Sequence, residues 1–183
     1  NEPSNVVNLA MSQALNALKI FIDESTDSEV NFKKFVARLF DKQYSRLGWT
    51  KIAGESFNDE QLRALPISWE VYAENADAVA QSSEVFAQHT ADIHGIPADI
   101  RQVVLKNEIT ENETDALVQS YFDAYAKTTD QTFQRELNVA VSSTKKMTTV
   151  ETIISQYRNT DLVKPQDLRF WFSSLVSREF SQA

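Results

Sequence analysis

Arg46–Arg63 reads RLGWTKIAGESFNDEQLR, and the parsing of this stretch decides the architecture. Leu47 closes an apolar pattern of helical period. Gly48 follows as an αL cap, and Trp49 lies where an apolar residue can pack back on the last turn. A short polar loop holds Gly54. Asn58 with Gln61 three residues later has capping-box spacing, so a new helix opens there. The pattern is helix, loop, capped helix, with no alternation of the kind a strand requires. Two of the three glycines in the chain lie in these residues.

Outward from this loop the same grammar repeats. Upstream, Phe32, Phe35, Val36, Leu39, Phe40 and Leu47 predict one inward stripe on a helix over about Glu29–Leu47. Val7, Ala10, Met11, Ala14, Leu18 and Phe21, widened by Leu15 and Ile22, predict another over Asn5–Ile22, with Ser4 as its N-cap. The acidic connector Asp23–Glu29 lacks the glycine and spacing of a calcium loop. It reads as solvated chain whose acids favour the next helix N-terminus. Downstream, Leu62, Leu65, Trp69 and Tyr72 form a stripe interrupted by Pro66, which predicts a kink or two short segments. A helix over Ala76–Ile93 follows, ended by Gly95 and Pro97. A short one covers Ala98–Lys106. Further helices are expected behind caps at Thr110 with Glu113, at Thr129 or Asp130, and at Thr148 with Glu151. A ninth helix, with Leu168, Trp171, Phe172, Leu175 and Val176, has Pro165 in its first turn. About nine helices joined by short connections give an all-α fold of antiparallel pairs. Pairs recur roughly every 35 to 40 residues from residue 98 on, which suggests HEAT- or armadillo-like stacking. Residues 1–183 read as one helical domain.

Composition agrees. Three glycines and four prolines in 183 residues are too few for the turns of a β-rich fold. A net charge of −8 repels phosphate backbones, so nucleic acid is not an expected partner. No apolar run is long enough for a membrane span. The absence of cysteine removes thiol chemistry and fits a reducing compartment. The Asn112-Glu113-Thr114 sequon reads as chance.

Catalytic signatures are missing. His89 and His94, if both lie on one helix, point about 140° apart and cannot share a metal. No H-E-x-x-H, glycine-rich phosphate loop or nucleophile elbow occurs. Glu111 and Glu113 read as first-turn acids, Lys145-Lys146 is too small a basic patch to matter, and the aromatic residues fall mainly on inward stripes. No catalytic, cofactor-binding or metal-ligating residue is assigned. Arg63 and Arg101 are candidates for structural ion pairs. Such arrays bind a partner or peptide, or form one wall of a larger molecule, and a standalone helical-repeat adaptor is the alternative reading.

Several short motifs nevertheless occur in a fixed order: Leu47-Gly48-Trp49, Gly54-Glu55-Ser56, Asp59, Leu62-Arg63, Ala98-Asp99-Ile100-Arg101, Leu137 with Ala140 and Val141 before Thr144-Lys145, and VKPQD at 163–167. In that order and spacing the chain resembles the C-terminal helical domain of the aminopeptidase N family of zinc aminopeptidases. The resemblance implies a right-handed superhelix of paired helices that walls the peptide cavity of a separate zinc catalytic domain. It implies that zinc belongs to that domain, that this chain alone is not an enzyme, that its partners are the catalytic domain and the peptide substrate, and that its location is cytoplasmic. Pro66 departs from the family pattern. The chain looks like a slice of the domain, so apolar faces are expected to lie open on the first and last helices and to promote self-association.

Overall fold

The computed structural model describes residues 4–19, 21–22 and 26–176. Among them are ten α-helices: α1 Asn5–Lys19, α2 Asp27–Leu47, α3 Phe57–Leu62, α4 Ala64–Tyr72, α5 Ala76–Gln88, α6 Ala98–Asn112, α7 Asp115–Lys127, α8 Gln131–Ser142, α9 Met147–Gln156 and α10 Leu168–Val176. A single 3-10 turn, Ile93–Gly95, lies between α5 and α6, and no strand occurs among the described residues. The all-α class expected from the sequence is therefore found. The chain forms two compact units, residues 1–84 and 85–183, with the boundary inside α5.

In the first unit α2 packs on α4, and α1 lies against α3 and α4. The core gathers Leu15, Phe32, Val36, Phe40 and Trp69, with Met11, Ile22, Leu65 and Tyr72 against it. Phe40 and Trp69 stack with centroids 5.9 Å apart, and Trp69 and Tyr72 meet edge to face at 5.5 Å. Such pairs add to the burial of their large apolar area.

Here α1 departs from its expected orientation. Leu15 is buried and Met11 and Ile22 pack against the core, as the pattern predicts, but Asn8 and Ser12 are buried beside Leu15, whereas Val7, Ala10, Ala14 and Leu18 of the predicted stripe are exposed. Phe21, just beyond the helix, is 81% exposed. Polar partners explain how the opposite face can be buried: Trp69 Nε1 donates to Ser12 Oγ at 2.9 Å, and Asn8 Nδ2 donates to the Ser4 carbonyl at 2.8 Å. On α2, Phe35 and Leu39 likewise point outward while Phe32, Val36 and Phe40 are buried.

In the second unit α8 is the central element, packed against α6, α7 and α10. Val104, Ile109, Tyr121, Leu137, Val141 and Trp171 are essentially inaccessible. Trp171 sits edge to face with Tyr125 at 5.0 Å and donates its indole N–H to the Tyr125 hydroxyl. On α10, Trp171 and Leu175 face in, and Leu168, Phe172 and Val176 are exposed at spacings of four. Open apolar side chains thus occur on the first and last helices, as expected.

Several helix ends move from their expected places. α3 is capped by Ser56, whose Oγ accepts from the Asp59 amide at 3.1 Å. Asn58 instead accepts from the backbone N–H of Asn5. The break before α4 falls at Arg63, because Pro66 cannot donate to the Leu62 carbonyl and its ring crowds that carbonyl. α5 stops at Gln88 rather than Ile93, and α6 runs through to Asn112. Thr110 is interior to α6, bonding back to the Lys106 carbonyl, and Thr114 caps α7 by accepting from the Leu117 amide. Asp130 caps α8, accepting from Thr132 and Phe133. α9 opens at Met147 with Thr144 Oγ1 receiving the Lys146 amide, not behind Thr148. Pro165 lies in the turn preceding α10 rather than in its first turn. Residues 23–25 of the acidic connector lie outside the described residues, while Asp27 and Glu29 stand in the first turn of α2.

Candidate functional site

The Arg46–Arg63 loop is built around one guanidinium. Arg63, 2% exposed, donates to the carbonyls of Leu47 and Gly48 and to the Glu55 carboxylate. The last carbonyls of α2 have no intrahelical donors, and Arg63 supplies them from the start of α4. The hydrogen bond from Arg63 holds Glu55 below the usual carboxylate range. Asp59 is lowered first by Arg46, which it meets at 2.6 Å, and then by Ser56.

Gly48 takes φ 56° and ψ −164°, outside the αL basin assigned to it from the sequence and in a region essentially confined to glycine. It still closes the helix, its amide donating to the Tyr44 carbonyl at 2.9 Å. The indole of Trp49 donates to the Tyr44 hydroxyl at 3.0 Å, and that hydroxyl donates to Asp77 at 2.7 Å. Burial, then the bond to Asp77, pushes the phenol up to about 12, so it remains a donor.

Arg101 plays the matching part in the second unit. It pairs with Glu136 at 2.5 Å, donates to the His94 carbonyl at 2.7 Å and lies over the Phe133 ring at 5.0 Å. The two arginines therefore hold structural ion pairs, as the sequence suggested. They join helix ends and helix faces rather than forming a cluster.

The other polar residues singled out from the sequence have structural partners too. Glu113 accepts from Thr144 and Thr149, and its carbonyl accepts from Lys146. His94 belongs to the 3-10 turn and pairs with Asp130, whereas His89 follows α5 and bonds to the Val85 carbonyl. They do not share a helix, so the angle assigned to them does not apply. Among the described residues no group of three or more His, Cys, Asp or Glu is placed to hold a metal ion. A shallow open cleft on the second unit is lined by Gln119, Phe122, Asp123, Gln156, Asn159 and Leu162, among others.

One polar residue escaped the sequence reading. Glu70, within α4, is fully buried. One carboxylate oxygen accepts from Asn75 Nδ2 at 2.9 Å and the other has no partner among the described residues. Burial pushes its carboxyl up, and Asp41 adds to the effect. A glutamate four residues beyond a proline in a helical pattern carries no sign of this in the sequence.

The residues that carry the motif pattern are thus mostly committed to helix ends and ion pairs. That is the signature of a shared scaffold. A family profile described as the ERAP1-like C-terminal domain matches residues 1–183. The chain belongs to that family. It is 45% identical over 182 residues to an aminopeptidase N of Lactococcus lactis subsp. lactis strain IL1403, covering all of this chain and 22% of that protein. It is 43% identical over 182 residues to aminopeptidase N of Lactococcus lactis subsp. cremoris strain MG1363, with all of this chain and 22% of that protein covered. For aminopeptidase N of Lactobacillus helveticus the identity is 34% over 182 residues, covering 100% of this chain and 21% of that protein. The chain spans about a fifth of the length of these relatives and corresponds to their C-terminal part. No helix among the described residues is long and apolar enough to cross a membrane.

Proposed function

We propose that this chain is the non-catalytic C-terminal part of a cytoplasmic zinc aminopeptidase that removes N-terminal residues from peptides. Its helices would wall the cavity that receives the peptide and shape access to it. The zinc ion and the groups that activate water would be supplied by other parts of the polypeptide. The observation that carries this reading is the match along the whole chain to proteins named aminopeptidase N, of which it makes up only about a fifth.

The packing pattern supports a wall of stacked helical pairs. α8 packs against both α6 and α10, and α2 against α4, and contacts between alternate helices of this kind support hairpins stacked as in a HEAT-like superhelix. The placement of Arg63, Arg101 and Glu113 at helix ends supports a rigid structural part rather than a reactive one.

The test is to read the parent gene upstream of Asn1 and to assay two proteins against aminoacyl fluorogenic substrates. An H-E-x-x-H motif upstream, activity in the longer product and none in residues 1–183 are the expected results. A start codon directly before Asn1, with no further coding sequence, overturns the reading in favour of a standalone peptide-binding adaptor.

A further inference from the structure

Glu70 stands two residues before the end of α4, and its side chain is closed off from solvent. Oε2 accepts from Asn75 Nδ2 at 2.9 Å, and Oε1 has no partner among the described residues. The same Asn75 amide turns its oxygen the other way. Oδ1 accepts from the backbone N–H groups of Asp77 and Ala78, at 3.0 and 3.4 Å, and so caps α5. The Asn75 N–H also donates to the Glu70 carbonyl, across Glu74 at φ 57°, a left-handed conformation uncommon outside glycine. One amide side chain thus links a buried acid to the first turn of the next helix.

The surroundings favour the neutral acid. A carboxylate out of water needs a cation or several N–H donors, and Glu70 has a single amide. Charged groups on the elements packed against α4 are engaged elsewhere. From α2, Lys33 pairs with Glu29 and Glu74, and Arg46 pairs with Asp59 of α3. Glu60 of α3 pairs with Lys51, Arg63 pairs with Glu55, and Lys19 of α1 lies over the Tyr72 ring. Lys34, Arg38 and Lys42 stand exposed on α2. The groups that act on Glu70 from α2 are Asp41, which adds negative charge, and Tyr44, whose hydroxyl donates to Asp77 of α5 instead.

We propose that Glu70 is a proton-controlled latch on the turn between α4 and α5. With its carboxyl neutral, Glu70 stays packed and holds the Asn75 amide in place on α5. When the proton passes to solvent, the carboxylate is served better by water than by one amide donor. The turn then opens, and the amides of Asp77 and Ala78 lose their cap. The opening is local, because Glu70, Asn75 and the first turn of α5 can move while Phe40 and Trp69 stay stacked in the core.

Amide hydrogen exchange followed by NMR tests this, each rate being taken relative to that of an unstructured chain at the same pH. As pH rises from 4.5, the ordinary carboxyl value, protection at Asp77 and Ala78 is expected to fall. The slope is at most about tenfold per pH unit, the limit for one released proton, and it levels off once the buried carboxyl is itself ionised. The Val36 amide, in the middle of α2, is expected to stay at least about tenfold better protected than either, which marks the opening as local. Glu70→Gln keeps an acceptor for Asn75 and has no proton to lose, so its protection at Asp77 and Ala78 should not vary with pH. The carboxyl carbon resonance of Glu70 in the unmutated chain reads the ionisation itself and should titrate above 4.5. Protection that is flat with pH in the unmutated chain overturns the proposal. So does a fall that persists in Glu70→Gln, a Glu70 carboxyl that titrates at or below the ordinary value, or Val36 exchanging together with Asp77.

Discussion

Arg63 and Arg101 show how a single side chain can substitute for a turn. Each is buried, and each reaches both a carboxylate and the backbone, Arg63 at the Leu47 and Gly48 carbonyls and Arg101 at the His94 carbonyl. Removing one partner of such a pair strands the other. Arg101→Met is expected to cost about 3 kcal/mol in urea unfolding, and Arg101→Met with Glu136→Leu to recover most of it, because two apolar side chains need no counterion. Glu70 makes a different prediction. Its folded carboxyl titrates above the ordinary value of 4.5, so the stability it contributes is complete below that value and is lost as pH rises through the folded value. Asp41 and Tyr44 lie near enough to matter. Glu70→Gln removes the ionisation, and the fall in stability as pH rises above the ordinary carboxylate range should shrink in denaturant titrations. The two arginines were legible as ion-pair residues, since a lone cation in an apolar pattern needs an anion. Their partners were not, because Glu55 and Glu136 look like any surface acid until the chain folds.

Helix existence was written in apolar periodicity, and helix ends were written less clearly. Thr110 with Glu113 has capping-box spacing, yet α6 continues through Thr110 and the cap of α7 is Thr114. The two sites can be separated by mutation. Thr114→Ala should cost about 1 kcal/mol, the usual value of an N-cap, and Thr110→Ala clearly less, both read from thermal or urea unfolding. What misled the spacing is Glu113, whose carboxylate is engaged by Thr144 and Thr149 from more than thirty residues away. Long-range ties of this kind leave no local trace. Gly48 is the converse case. Its role as a helix terminator was plain, but only the structure gives a conformation that excludes side chains, and Gly48→Ala is expected to destabilise by about 1–3 kcal/mol although no neighbour would touch the added methyl.

For the molecule as a whole, surface charge and exposed apolar area act in opposite directions. The net charge of −8 keeps copies apart, while the open faces of α1 and α10 favour contact. Raising salt screens the first and not the second. Association of the chain should therefore strengthen between about 50 mM and about 500 mM sodium chloride, the reverse of a contact made by ion pairs, and light scattering at fixed concentration reads the sign. The all-α class followed from scarce glycine and a repeating 3.6-residue pattern, and the open end helices from the resemblance to a slice of a larger helical domain. The orientation of α1 did not, because hydrophobicity alone cannot tell a face that meets its own core from one that meets something else.

The rotation of α1 also bears on how such a sequence can change over time. Ser12 and Asn8 fasten α1 through hydrogen bonds that ask little of the opposite side. Substitutions along Val7, Ala10, Ala14 and Ala17 are then judged by the neighbour they touch and hardly at all by the fold beneath them. This column can drift in step with an adjoining surface while the rest of the scaffold stands still.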